Sequence, residues 1–349
     1  MNFNELDTPA LIIDLDVLKK NIADLQRECD RLEIALRVHT KTHKTPAIAQ
    51  MQIDAGAIGI VCQKLGEAEV MVDAGIEDVL IPYNIVGKPK LRRLSQLIRS
   101  NKATITVAAD SAATVKGLSE QAAQDGCTIR VIVELDTGGG RCGVQTPPAA
   151  LELAQHIDRS AGLEFVGIMT YATGEQVSHF FAEVRNLIKH ARLPLYIVSA
   201  GGTGSQEFCK SLGCTETRIG SYVYEGLTRV GKREDLQPAR CPLRVVTTVV
   251  SNARPGQVII DAGQKGFTAY PPIPYGYCIE HPEIFIKGMS VEHGHVDITT
   301  SSHSFEVGEI LSFIPLHAGK TTNLYDCIYP VSKGEVIDVW QVAGRGKAQ

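Results

Sequence analysis

The chain has 349 residues, 44% of them hydrophobic and 21% charged, with a formal net charge of -4. That length accommodates two domains, or one barrel with an accessory module. The mild negative charge and the lack of a basic run interleaved with aromatics argue against nucleic acid as a partner. No apolar stretch reaches the roughly 18 residues that cross a bilayer. Residues 1–7 carry neither the charged nor the apolar region of a secretion signal, so a cytoplasmic location is expected. Nine scattered cysteines without a Cys-x-x-Cys pair suggest neither a disulfide framework nor a structural zinc site.

Taken in order, residues 10–14 read as a short strand, and Leu15, Leu18, Ile22 and Leu25 stand at helical spacing behind it. From residue 35 a rhythm sets in. Strand-like apolar runs fall at 35–39, 59–63, 78–82, 103–108, 129–135, 165–170, 195–198 and 216–220, with helical stretches such as 66–73, 90–99, 111–124, 147–159 and 177–191 between them. Eight strand–helix units over about two hundred residues predict an α/β fold of the (β/α)8 TIM type. An open dinucleotide-binding sheet would want Gly-x-Gly-x-x-Gly after the first strand, and none is there. Near residue 240 the helical periodicity gives way to short β-rich runs (245–250, 257–261, 305–313, 335–342) joined by Gly/Pro turns. The expected division is a barrel over 11–240 and a mostly β domain over 241–349, with residues 1–10 packing against the latter.

In such a barrel the carboxyl ends of the strands share one mouth. The residues expected there are Lys41, Gln63, Asn84, Asp110, Asp136 with Arg141, Tyr171, the 199–205 loop and Gly220-Ser221-Tyr222. They are mostly polar, which a packed barrel would not require. The first run is the densest: His39-Thr40-Lys41-Thr42-His43-Lys44 follows directly on an apolar strand. Crowding four cationic or titratable groups is costly unless an anion is bound; the plainer reading is a solvated basic loop. Lys41 is read as the carrier of an aldehyde cofactor, and His39 and His43 as groups that stack on a ring or relay protons. Gly201-Gly202-Thr203-Gly204-Ser205 follows strand seven, where barrels often bind phosphate. Three glycines before Arg141 let that cation turn inward, toward a cofactor ring oxygen or a substrate carboxylate.

Several motifs, in order along the chain, resemble the D-threonine aldolase family. They are Arg37-x-His39-x-Lys41-Thr42-His43-Lys44, Cys62-Gln63-Lys64-x-x-Glu67-Ala68-Glu69, Gly140-Arg141-Cys142-Gly143-Val144, Gly201-Gly202-Thr203-Gly204-Ser205, Gly220-Ser221-Tyr222, Ile260-Asp261-Ala262-Gly263, Glu292-His293-Gly294 and Val342-Ala343-Gly344-Arg345-Gly346. That family includes 3-hydroxy-D-aspartate aldolases and is close to D-serine dehydratases; all are fold-type III pyridoxal 5'-phosphate (PLP) enzymes with an alanine-racemase-like barrel. The resemblance implies that Lys41 is the Schiff-base lysine. It also implies that Arg141 and Tyr171 face the cofactor ring, and that Gly202, Thr203, Gly204, Gly220, Ser221 and Tyr222 hold the phosphate. His317 matches the family's metal-binding histidine for Mn, Mg or Zn. The family pattern there is His-x-Asp or His-x-Cys, whereas this chain has His317-Ala318-Gly319. The implied activity is retro-aldol cleavage of a D-configured β-hydroxy-α-amino acid, with a dehydratase or an amino-acid racemase as alternatives and a homodimer as the implied assembly.

Overall fold

The computed structural model describes residues 1–171, 177–227, 237–271 and 273–349. Two compact units emerge. One comprises Met1–Asp24, Thr42–Ala47 and Ser221–Gly346, the other Leu25–Lys41, Ile48–Gly220 and Lys347–Gln349.

The second unit is the expected (β/α)8 barrel. Its strands are β2 (Ala35–His39), β3 (Gly59–Val61), β4 (Asp78–Asn84), β5 (Thr104–Ala109), β6 (Ile129–Leu135), β7 (Leu163–Thr170), β8 (Ile197–Ala200) and β9 (Glu216–Ile219), numbered after β1 (Ala10–Asp14). They pair in parallel and in sequence, and β9 closes on β2. Helices α1 (Leu15–Arg31) to α8 (Gln206–Ser211) alternate with them; α3 is Leu65–Asp73, α5 Ala112–Asp125 and α7 Val177–His190. The local signals agree with the pattern: Ser111 caps α5 by accepting the Thr114 amide, and Gly126 ends that helix with a left-handed φ of 62°. Val61, Leu80, Ala108, Ile132, Val166 and Met169 form a buried cluster among the strands. The chain's end returns here, where the Gln349 carbonyl accepts the Gly66 amide at 2.8 Å.

Period-two alternation puts Arg37 and His39 on one face of β2, and Glu216 and Arg218 on one face of β9. All four are buried. Charges inside a barrel must be paired, and these are. Arg37 Nε donates to Glu216 Oε2 at 2.9 Å and its Nη1 to Asp78 Oδ1 at 2.6 Å. Ser199 Oγ donates to Glu216 Oε1 at 2.7 Å.

The first unit is mostly antiparallel β: β10 (Leu243–Arg254), β11 (Gln257–Ile260), β12 (Gly276–Cys278), β13 (Phe285–Met289), β14 (Gly294–Asp297), β15 (Ile310–Pro315), β16 (Cys327–Ser332), β17 (Glu335–Val336) and β18 (Trp340–Gln341), with the short helix α9 (Ala318–Thr322). The order is β11-β14-β13-β12-β15-β10-β1-β16-β17, with β18 on β16 and a further β10–β11 pairing. Three details depart from the sequence reading. Strand β1 lies in this sheet, antiparallel to β10 and parallel to β16, so residues 11–14 leave the expected 11–240 unit, as do 15–24, 42–47 and 221–240. Its Ala10 and Ile12 pack with Leu6, Val246 and Val331. The run expected at 305–313 forms a strand only from Ile310, because a turn at Gly308 (φ 96°) interrupts it. The 335–342 run splits into β17 and β18 around Asp338, whose carboxylate accepts the Val339 amide and Trp340 Nε1. All nine cysteines are free. Among the described residues no helix is long and apolar enough to cross a membrane.

Candidate active site at the barrel mouth

Strand β2 ends at His39 and runs into a 3-10 turn, Thr40–Thr42. Buried Thr40 pins the turn by donating to the Val61 carbonyl at 3.0 Å. His39 is used at both ring nitrogens: Nδ1 accepts the Lys41 amide at 3.4 Å, and Nε2 lies 3.2 Å from Gln63 Oε1. That pattern assigns the neutral Nε2–H tautomer. Burial, then the charges of Lys41 and Arg218, hold its proton affinity well below the ordinary imidazole range. The Gln63 amide in turn donates to buried Glu67 at 2.9 Å. His39 therefore sets the backbone from which Lys41 projects.

Lys41 keeps an exposed side chain at this mouth. Desolvation around it, then Arg141 and Arg218, lower its affinity for a proton, and Glu67 opposes them. The neutral amine is the form that attacks an aldehyde, and a lowered proton affinity favours it. Arg218 went unnoticed in the sequence. It is buried, donating from Nη1 to Ser199 Oγ and from Nη2 to the Thr170 carbonyl, both at 2.6 Å. Its signal is a charged pair, Glu216 and Arg218, in a strand every residue of which is buried.

The three glycines before Arg141 wind around a carboxylate. Asp136 Oδ1 accepts the amides of Gly138, Gly139 and Gly140 at 3.0, 2.8 and 3.1 Å. Against partial desolvation, Gln145 and these amides keep the Asp136 carboxyl below its usual range. Gly143 (φ 119°) closes the loop where a Cβ would strike the Asp136 amide nitrogen. Arg141 then stands 3.6 Å from Glu134 Oε1, with its guanidinium carbon 5.6 Å from the Tyr171 ring centroid. Burial raises the Glu134 carboxyl, while Arg141 and Arg218 counter it. The Tyr171 ring lies over Gly202, 3.4 Å from where a Cβ would sit. Glu134, Asp136, Arg141 and Tyr171 line a cleft of about 320 Å³, at the small end of ligand sites.

Beyond β8, Gly201 (φ 121°) turns where a Cβ would fall 2.6 Å from Thr217 Oγ1. Ser205 Oγ accepts the Gly202 amide at 2.9 Å and donates to the Gly202 carbonyl, so that amide is engaged within the turn. Thr203 and Gly204 complete the loop, and Gly204 (φ 90°) has open space at its Cβ position. Gly220 follows β9 directly, and Ser221 and Tyr222 open the 3-10 turn Ser221–Val223 of the first unit. An amine, two guanidinium groups and an open glycine loop around one mouth suit an anionic aldehyde, so the donors present fit PLP.

His43 and His317 belong to the first unit. His43 is fully buried and its Nδ1 accepts the Thr45 amide at 3.1 Å. His317 bonds the Pro271 carbonyl, and burial, then Lys320, lower its proton affinity. Its Nε2 is buried with no hydrogen-bond partner among the described residues. One imidazole nitrogen is thus available, but position 319 offers no donor, and a Cβ there would lie 3.1 Å from the Thr42 carbonyl oxygen. A hard cation prefers several oxygen ligands. The residues present do not fit the expected two-ligand metal centre.

A closed barrel with a lysine directly after its first strand and a trailing β unit defines an alanine-racemase-like protein: the alanine racemase N-terminal domain family matches residues 13–228, and the putative serine dehydratase domain matches 242–331. The D-threonine aldolase of Arthrobacter sp. is 35% identical over 359 residues, 98% of this chain and 93% of that one. The 3-hydroxy-D-aspartate aldolase of Paracoccus denitrificans (strain Pd 1222) is 32% identical, covering 99% and 94%. The crystal structure of D-threonine aldolase from Filomicrobium marinum superposes with a TM-score of 0.87 at 32% identity, covering 99% and 98%. The chain belongs to the D-threonine aldolase family.

Proposed function

We propose that this chain is a PLP-dependent aldehyde-lyase that cleaves D-configured β-hydroxy-α-amino acids, D-threonine-like, to glycine and an aldehyde. The observation that carries the reading is the Lys41 amine in the turn directly after β2 at the mouth of the barrel, its proton affinity lowered by desolvation and by Arg141 and Arg218. PLP, when bound, supplies an aldehyde that couples to amines and a conjugated ring that accepts the electron pair of a bond broken at Cα. Lys41 would hold it covalently, Thr203, Gly204 and Gly220 would approach its phosphate, and Arg141 and Tyr171 would border its ring. With PLP bound, the Lys41 amine, its proton affinity lowered by desolvation and by Arg141 and Arg218, would be the group of this chain placed to carry a proton to or from Cα. Arg141, exposed and stacked toward Tyr171, is placed to pair with the substrate carboxylate. His39 positions Lys41 rather than relaying protons, since both its nitrogens are engaged.

No step here runs through a metal, because position 319 supplies no second donor. The match of residues 242–331 to the putative serine dehydratase domain favours dehydration as the second reading, in which the Cα–H bond breaks instead of Cα–Cβ. Product analysis on D-threonine, D-serine and 3-hydroxy-D-aspartate decides: glycine with an aldehyde supports the aldolase, ammonia with a keto acid the dehydratase. Conversion to the L-enantiomer alone would make the chain a racemase. A cytoplasmic homodimer is part of the same reading, testable by fractionation and light scattering.

A further inference from the structure

The first unit carries a second group of ligand-type side chains away from the residues discussed so far. His281 lies between β12 and β13, and His303 and Glu309 lie between β14 and β15. One ligand atom from each falls within 4.8 Å of the other two. His303 Nε2 is 2.9 Å from Glu309 Oε1, and His281 Nε2 is 4.0 Å from the same oxygen. The imidazoles are stacked, with centroids 4.6 Å apart and planes 26° from parallel, and both direct Nε2 at that carboxylate. Buried Phe305 packs edge-on against both rings, with centroids at 5.0 and 4.6 Å.

The supports are built in. Glu309 Oε2 accepts the Glu306 amide at 3.0 Å, and the Glu309 amide donates to the Glu306 carbonyl at 3.1 Å. This is the turn that delays β15. The His303 amide donates to Ser301 Oγ at 3.2 Å, and that hydroxyl donates to Glu283 Oε1 at 2.5 Å. The same Glu283 oxygen lies 3.6 Å from Nδ1 of His281, the nitrogen facing away from Glu309. A carboxylate behind an imidazole is the usual outer partner of a metal-bound histidine.

We propose that His281, His303 and Glu309 bind a zinc-class divalent cation, with Glu283 orienting His281 and water completing the coordination. Tetrahedral zinc with bonds of about 2.0–2.1 Å sets its donors about 3.3 Å apart. The separations to Glu309, 2.9 and 4.0 Å, bracket that value, so small side-chain rotations suffice. Two imidazoles and one carboxylate suit zinc better than magnesium or calcium. The three side chains are 23%, 43% and 24% exposed, which leaves an entry path. The ion would tie the β12–β13 connection to the β14–β15 connection, and binding only the folded state would stabilise that half of the unit.

The test uses full-length, PLP-loaded protein stripped with chelator, in a His317→Ala background so that position 317 contributes nothing. Cobalt(II) replaces zinc as the spectroscopic probe. One equivalent should develop visible ligand-field absorption, be displaced by zinc, and be lost in His303→Ala. Zinc should raise Tm in the background protein and not in His303→Ala. Glu283→Gln should weaken cobalt binding roughly 10–100-fold. Absent absorption, or absorption that survives in a natively folded His281→Ala/His303→Ala double variant, overturns the site. Should the double variant misfold, Glu309→Gln keeps the side-chain shape; cobalt affinity unchanged in it overturns the site equally.

Discussion

Lys41 and His317 make an instructive pair. Each is a basic side chain whose proton affinity is lowered first by desolvation and then by neighbouring cations, Arg141 and Arg218 for the lysine and Lys320 for the histidine. Around Lys41 the remaining parts of a ligand site are present: a guanidinium at Arg141, an open loop at Gly204, and a ring at Tyr171. Around His317 the matching donor is missing, and Gly319 packs so closely on the Thr42 backbone that even a Cβ crowds it. Weak proton binding marks where something other than a proton can sit; the surrounding donors decide whether anything does.

The comparison can be broken most directly at the lysine. Lys41→Ala should lower kcat/KM by roughly 10³-fold or more and abolish the visible band of lysine-linked PLP. An unchanged spectrum would remove the distinction between the two places. Gly201→Ala should come next: its φ of 121° and the 2.6 Å approach to Thr217 Oγ1 predict about 1–3 kcal/mol of destabilisation, read by denaturant titration, with weaker PLP retention. For His39 the sign follows from linkage. The unfolded imidazole gains a proton near its ordinary pKa of 6.5 while the native one does not, so stability falls as pH drops below about 6.5, by up to about 1.4 kcal/mol per unit. His39→Gln should flatten that slope in urea titrations at pH 5 to 7. At position 317 the smallest effect is expected: chelator or added Mn²⁺ should change kcat by less than about twofold, and Gly319→Asp should cost about 1 kcal/mol through the Thr42 contact. Strong activation of the unmodified chain by Mn²⁺ would erase the contrast.

The barrel was readable because its strands are apolar runs at even spacing, and the mouth because polarity switches on abruptly at residues such as Lys41 and Tyr171. What escaped the reading is what long-range pairing decides. Arg218 looks like an exposed charge in a short strand until Ser199 and Thr170 arrive from β8 and β7 to take its hydrogens. His39 reads as a group that stacks on a ring or relays protons, and nothing in the spacing shows Gln63 and the Lys41 amide meeting its two nitrogens. The three glycines before Arg141 read as backbone free to turn that cation inward, but the carboxylate that fixes the turn does not show in the spacing: Asp136 gathers their amides. Strand β1 has the same pattern as a barrel strand, and only its partners, residues 243–246 and 329–331, reveal where it belongs.

That placement of β1 has a consequence for biosynthesis. Both neighbours of Ala10–Asp14 are translated long after it, β10 more than two hundred residues later and β16 more than three hundred. At about 5–20 residues per second the nascent strand waits roughly 10–45 s with both edges open, and roughly 15–60 s before β16 covers the second. An apolar segment held in that condition is a natural client for a chaperone, and a change within Ala10–Asp14 would be felt in a sheet whose other strands are encoded more than two hundred residues downstream.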